Sequence, residues 1–127
     1  MKRLFLALLL PGLAMAAEPS PAVTQEIAHL FSHLKSSDCQ FNRNGSWYST
    51  ADAAAHLEKK YAYLLRKDLV SSSEDFIQRA ATESSMSGKP YLVKCGAGKA
   101  VQSGPWFKAE LKKYRAERGI DKAVDKP

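Results

Sequence analysis

The chain has 127 residues, of which 45% are hydrophobic and 25% charged, and its formal net charge is +6. This length fits one small domain. The basic residues form no cluster interleaved with stacking aromatics, which is the pattern of nucleic-acid binding, so we expect no nucleic-acid partner.

The N-terminus has the three regions of an export signal. Lys2 and Arg3 form a basic start, Leu4 to Leu13 form an apolar stretch, and Ala14-Met15-Ala16 is a cleavage motif. The apolar stretch is too short to cross a bilayer as a helix. We therefore predict a signal peptide over residues 1–16, a periplasmic or secreted mature protein, and no membrane span after cleavage.

Helical periodicity predicts four helices in the rest of the chain. Each begins at a residue that suits a helix N-terminus: Ser20 before Pro21, Ser49, Ser72, and Ser103 or Gly104 before Pro105. We predict a flexible stub over residues 17–21, a single domain over 22–118 and a flexible tail over 119–127.

The segment CQFNRNGSWYST, residues 39–50, predicts a β-hairpin. Asn44-Gly45 suits a type I′ turn, which requires positive φ at both central residues. This turn places Phe41 opposite Tyr48 and Asn42 opposite Trp47. Alternation then puts Phe41 and Tyr48 on the core face, and it puts Asn42 and Trp47 on the polar face.

The chain contains two cysteines, Cys39 and Cys95. Export to an oxidising compartment favours one disulfide between them, whereas a catalytic or metal-binding thiol finds no C-x-x-C motif. A bridge would join the first hairpin strand to a late strand at Tyr91 to Cys95. The predicted fold is therefore α+β, with about four helices packed on a small antiparallel sheet made of the hairpin plus one further strand.

Two histidines four residues apart, His29 and His33, have the spacing of metal ligands on a helix. They project away from the apolar stripe of the first helix, and no cysteine lies within one turn of them. This pattern favours a solvated face, so we predict no metal site and no cofactor.

Several motifs resemble those of the YfeK-like proteins of proteobacterial envelopes, a domain of unknown function. The matching segments, in chain order, are CQFNRNGSWY, AAAHLEKKY, EDFI, SSMSGKPYLVKC and PWFKAELKKY. The resemblance implies a small exported protein with one disulfide, and it brings no activity, ligand or catalytic residue. Its motifs contain the polar residues that periodicity leaves unexplained: Arg43, Asn44, His56, Lys60, Ser85, Ser87 and Lys89.

These seven residues are the candidate binding patch. If the strands joined by the disulfide are antiparallel, the Asn44-Gly45 turn and the serine-rich loop before the late strand lie at the same end of the sheet. Arg43, Lys89 and the serine hydroxyls could then hold an anion, with Gly88 allowing close backbone approach. The partner would be a polar or anionic ligand, or another envelope protein.

The sequence patterns that would indicate an enzyme are weaker than those that indicate a binding patch. The SGK sequence lacks the first glycine of a P-loop, where Glu83 stands, and Pro90 replaces the hydroxyl residue after the lysine. A small hydrolase using His56 with a serine of the Ser84 to Lys89 loop is the alternative function, although no G-x-S-x-G motif is present. The pattern favours a non-enzymatic binding or interaction module over an enzyme, with no catalytic residue assigned.

A purely structural interpretation of the same residues stays open. Asn44-Gly45 would then be only a turn, and the serine-rich loop would be held by its own side-chain-to-backbone hydrogen bonds. Arg43 would be a buried cation paired with Glu83. Sequence patterns do not separate this interpretation from the binding patch.

Overall fold

The structure, a computed structural model, describes residues 18–119. The predicted signal peptide and nearly all of the predicted tail lie outside these residues. The elements follow in the order α1 (Pro21–Ser36), β1 (Cys39–Arg43), β2 (Ser46–Tyr48), α2 (Thr50–Arg66), α3 (Ser73–Ala80), β3 (Leu92–Cys95), β4 (Val101–Gln102) and α4 (Ser103–Glu117).

Three helices begin at the predicted serine caps. The side chains of Ser20, Ser49 and Ser72 each accept a hydrogen bond from the backbone N–H three residues later, at 3.2, 3.1 and 3.0 Å. Each bond satisfies one of the orphan donors at a helix N-terminus. The predicted starts of α1, α2 and α3 are confirmed.

The sheet is antiparallel throughout, in the order β2-β1-β3-β4. Phe41 lies opposite Tyr48 and Asn42 opposite Trp47, as the turn predicted. The prediction of one strand beyond the hairpin was incomplete, because β4 pairs with β3 inside a segment interpreted as a loop. A two-residue strand has no periodicity of its own, and its pairing depends on the neighbouring strand.

The disulfide between Cys39 and Cys95 is confirmed. The two cysteines lie directly opposite each other in the register of β1 and β3. The bridge therefore fixes which strands are neighbours at the centre of the sheet. It also places the end of β1 and the start of β3 at the same end of the sheet.

One hydrophobic core joins the helices to the inner face of the sheet. Phe41 and Val93 are fully buried on β1 and β3, and Phe31 of α1 packs against Phe76 of α3 with ring centroids 5.2 Å apart. On the opposite face Trp47 is 42% exposed. Asn42 lies opposite Trp47, as predicted, but it is buried, and its side-chain oxygen accepts a hydrogen bond from the N–H of Gly45 at 3.1 Å.

A charged network ties three helices together. The guanidinium of Arg115 on α4 donates to Glu26 on α1 at 2.9 Å and to Glu74 on α3 at 2.8 Å. Glu26 is buried and also accepts from Ser73 at 2.6 Å. Every polar group of this buried cluster is thus hydrogen-bonded, as burial requires.

Within residues 18–119, none of the helices is long and apolar enough to cross a membrane.

Candidate functional site

The buried hydroxyl of Tyr91 lies at the centre of the candidate site. Its oxygen is 3.0 Å from Nζ of Lys60 and 3.1 Å from Nε2 of His56. Tyr91 itself is 1% exposed. His56 and Lys60, both on α2, therefore contact the same buried hydroxyl. Both of these side chains remain partly accessible to solvent.

The local sequence explains how this arrangement forms. His56 and Lys60 are four residues apart on α2, so they lie on the same side of that helix. Tyr91 directly precedes β3, where its N–H donates to Thr82 and its carbonyl accepts from Ser103, at 3.0 and 2.9 Å. These backbone bonds hold the phenol in place beneath α2.

Arg43 completes the cluster from the end of β1. Its guanidinium carbon lies 4.9 Å from the ring centroid of Tyr48, a cation–π contact that orients the side chain. Burial lowers the pKa of His56, and the positive charges of Arg43 and Lys60 lower it further. Burial also lowers the pKa of Lys60. The negative charge of Glu83 opposes this decrease, and the positive charge of Arg43 adds to it.

The cluster is cationic, and the nearby charge of Glu83 acts on Lys60 without forming an ion pair with it. Among residues 18–119, neither Arg43 nor Lys60 forms a salt bridge. The structural interpretation that paired Arg43 with Glu83 was wrong, because no salt bridge joins these two side chains; the backbone carbonyl of Glu83 accepts from Lys60 at 3.1 Å. We call Arg43, His56, Lys60 and Tyr91 the cationic cluster.

The serine-rich loop contacts the hairpin turn. Asn44 donates to Ser84 at 3.2 Å and accepts from the hydroxyl of Ser87 at 2.5 Å. The hydroxyl of Ser84 also accepts from the backbone N–H groups of Met86 and Ser87 at 3.2 and 3.3 Å. The predicted meeting of turn and loop therefore occurs, but these polar groups mainly bind one another and fix the loop to the turn.

The remaining two residues of the predicted patch make no hydrogen bond to the cationic cluster. Ser85 nevertheless lines a cavity of about 430 Å³ together with Lys60 of the cluster and with Lys59, Tyr63 and Arg79. Lys89 is exposed, and its backbone N–H donates to the hydroxyl of Ser87 at 3.1 Å. Of the seven predicted residues, three join the cationic cluster and two join the turn and loop. Ser85 shares a cavity with Lys60, and the side chain of Lys89 stands apart.

The hydrolase alternative finds no support in the hydrogen bonds. Nε2 of His56 contacts the hydroxyl of Tyr91, and the hydroxyl of Ser87 binds Asn44. A serine nucleophile needs a base within hydrogen-bonding distance of its hydroxyl. In residues 18–119 no serine hydroxyl has such a bond with His56.

Sequence reasoning missed Tyr91, the residue on which the cluster depends. It stood in the sequence as the first residue of a predicted strand, where a tyrosine is an ordinary core residue. The available signal was its polar hydroxyl at an inward position, because a buried tyrosine usually needs a hydrogen-bond partner.

The prediction that His29 and His33 lie on a solvated face was also wrong. The structure half-buries both histidines against α4, where Nε2 of His29 lies 2.6 Å and Nε2 of His33 lies 3.6 Å from the carboxylate of Glu110. Local sequence patterns do not indicate this contact, because Glu110 is 81 residues from His29.

One other set of potential metal ligands is close together. In the part of the chain that the structure covers, the ligand atoms of Asp38, Cys39 and Cys95 all lie within 4.8 Å of one another. Both sulfurs are joined in the disulfide, so no thiolate is available to bind a metal.

Comparison with known proteins gives a family but no activity. No curated protein and no solved structure shows significant similarity to the chain. The family of unknown function DUF5329 matches residues 21–115, which extend from the start of α1 to the last turn of α4 and include the whole cationic cluster. The chain therefore belongs to the DUF5329 family.

Proposed function

We propose that this protein is a non-enzymatic binding module that recognises an anionic group through Arg43, His56 and Lys60. The proposal includes export to the periplasm or the exterior, which rests on the N-terminal signal pattern. The attribution to YfeK-like proteobacterial proteins rests on the sequence resemblance alone. The cationic cluster, in which neither Arg43 nor Lys60 forms a salt bridge among residues 18–119, is the observation that supports the binding function most strongly.

The hydrogen bonds of the cluster among residues 18–119 leave some of its donors unused. Lys60 uses two of its three protons on Tyr91 and the carbonyl of Glu83, so one proton is left. Because Tyr91 accepts from Lys60, its own proton is free to bond Nε2 of a neutral His56. We assign the remaining His56 proton to Nδ1 on this argument, and Nδ1 is then a donor for a ligand.

Arg43 determines the chemical class of ligand. A guanidinium presents paired N–H donors that match the two oxygens of a carboxylate or phosphate group. Partial burial of His56 and Lys60 lowers the effective dielectric around the site, which strengthens attraction to an anion. A ligand or partner protein that presents a carboxylate or phosphate fits these donors.

The test is a titration of the mature protein with inorganic phosphate and, separately, with acetate, followed by two-dimensional NMR. Sodium chloride at equal ionic strength is the reference, because salt alone screens charges. We expect saturable shifts in the signals of Arg43, His56 and Lys60 with at least one of the two anions. The stronger response identifies phosphate or carboxylate as the preferred group.

Variants separate a specific site from general charge attraction. Arg43→Gln removes the guanidinium and should weaken anion binding about tenfold, since a charged hydrogen bond contributes roughly 1.5–3 kcal/mol. Lys108→Gln on α4 removes one charge from an exposed position and should bind as the unsubstituted protein does. Equal weakening in both variants, or no saturable shift with either anion, would overturn the proposal.

A further inference from the structure

We propose that His29, His33 and Glu110 form a binding site for a divalent transition-metal ion, with Zn²⁺ as the ion that these ligands suit best. The site joins α1 to α4 and contains none of the residues of the cationic cluster. The proposal is therefore independent of the proposed anion-binding function.

The position of the three side chains supports the proposal. Both imidazoles direct Nε2 toward the same carboxylate, at 2.6 Å from one oxygen for His29 and 3.6 Å from the other oxygen for His33. Two histidines four residues apart on a helix are a common pair of zinc ligands, and a carboxylate oxygen is a common third ligand. Water would fill the fourth position of a tetrahedral site.

Burial and stacking position these ligands. Glu110 is 11% exposed and the two histidines are about one-third exposed, so the carboxylate is nearly buried while both imidazoles keep partial access to solvent. Tyr114 stacks on His29 with ring centroids 4.1 Å apart, and Trp106 packs against His33 at 4.8 Å. These two aromatic residues of α4 pack against the same imidazoles that contact Glu110.

The nitrogen of His33 that faces Glu110 also suits a metal. Nε2 of His33 is 3.6 Å from Glu110, beyond hydrogen-bonding distance, so metal binding breaks no hydrogen bond between them.

Metal binding would change the site in two ways. The imidazole centroids are 6.4 Å apart, so the rings must turn toward Glu110 to share one ion. The hydrogen bond between His29 and Glu110 must also break, and when its proton lies on the histidine it leaves to solvent as the metal enters. Binding should therefore weaken as the pH falls and the imidazoles become protonated.

The experiment is a Zn²⁺ titration of the mature protein at pH 7.5, with the imidazole signals of the three histidines recorded by NMR. We expect His29 and His33 to shift together and to saturate at one ion per chain, while His56 stays unchanged. The thermal midpoint should rise with Zn²⁺ concentration, because an ion that binds only the folded state stabilises it.

Variants test the assignment of the carboxylate. Glu110→Gln should weaken Zn²⁺ binding at least tenfold, since even residues that support a metal ligand contribute 10–100-fold. Glu58→Gln, at an exposed carboxylate on α2, should bind Zn²⁺ as the unsubstituted protein does. His33→Gln provides a second disrupted site if Glu110→Gln fails to fold.

Two results would overturn the proposal. The first is a titration of the unsubstituted protein in which the histidine signals do not saturate or in which His56 responds equally. The second is Zn²⁺ affinity in Glu110→Gln or His33→Gln equal to that of Glu58→Gln. Because the first result needs no variant, the proposal can be tested even if both substitutions prevent folding.

Discussion

The ammonium group of Lys60 lies 3.0 Å from the hydroxyl of Tyr91 and 4.9 Å from the centroid of its ring. One contact is a hydrogen bond and the other a cation–π interaction, and both join α2 to the segment that leads into β3. This pair holds a half-buried cation in place without a salt bridge among residues 18–119.

Tyr91→Phe tests the contribution of this hydroxyl. The substitution keeps the buried ring but removes the oxygen that bonds Lys60 and His56. We expect the free energy of unfolding to fall by about 1–3 kcal/mol, because two partly buried groups lose a partner. Urea unfolding measures this change. Tyr63→Phe, at a tyrosine that is 50% exposed, is the control and should have little effect; equal stability of the two variants would contradict the account.

Glu26→Gln tests the network around Arg115. The variant removes the charge that Arg115 binds on α1 and leaves Glu74 as its carboxylate partner. We expect a loss of about 2 kcal/mol in the free energy of unfolding, since Glu26 is buried and fully hydrogen-bonded. Glu58→Gln breaks the exposed pair with Lys35 and should cost no more than about 0.5 kcal/mol.

The same network predicts a pH dependence. Hydrogen bonds from Arg115 and Ser73 hold the pKa of Glu26 below its ordinary value of 4.5, although burial opposes them. A lowered pKa in the folded state means that the unfolded state binds more protons as the solution is acidified. The stability from Glu26 is therefore complete above about pH 4.5 and is lost as the pH falls through the lowered value. Glu26→Gln should flatten this part of the stability curve.

Gly45→Ala tests the hairpin turn. Gly45 has φ +89°, a region that side chains with a Cβ rarely adopt, although no atom lies within 4 Å of the added methyl group. We expect a loss of about 1–2 kcal/mol from backbone strain alone. Ser46→Ala, at the next and exposed residue, is the matched control in the same unfolding measurement. Equal stability of the two variants would show that the turn tolerates a side chain at this position.

Reduction of the disulfide should lower stability substantially. Cys39 and Cys95 are separated by 56 residues, and a crosslink that closes a loop of this length restricts the unfolded chain by about 4 kcal/mol in the chain-entropy model. We expect a lower thermal midpoint in the presence of a reducing agent. A variant with both cysteines replaced by alanine should show a similar loss and no response to the reducing agent. An unchanged midpoint on reduction would contradict this expectation.

Local sequence signals predicted much of the fold. Ser20, Ser49 and Ser72 identified three helix starts, because a serine cap acts on backbone groups only three residues away. Asn44-Gly45 predicted the register of β1 and β2, since a two-residue turn leaves only one pairing of the flanking strands. Each of these predictions depends on residues close together in the chain.

The features that sequence reasoning missed depend on distant residues. Tyr91 meets His56 and Lys60 only after the sheet and α2 have packed. Glu110 approaches His29 from a helix 81 residues away. Periodicity shows which side of a helix is polar, but it does not show which polar residues of another helix will cover that side.

The pKa of His56 tests the central claim most directly. NMR can follow its imidazole signal from pH 4 to 8 in sodium sulfate and in sodium chloride at equal ionic strength, for the unsubstituted protein and for Arg43→Gln. In chloride the account predicts a pKa below 6.5 in the unsubstituted protein and a higher pKa in Arg43→Gln, because the charge of Arg43 lowers it.

In sulfate the pKa of His56 in the unsubstituted protein should rise, since a bound anion favours the protonated imidazole. The rise should be much smaller in Arg43→Gln. If the pKa of His56 is the same in sulfate and chloride, or rises equally in both proteins, Arg43 and His56 do not form an anion-binding site.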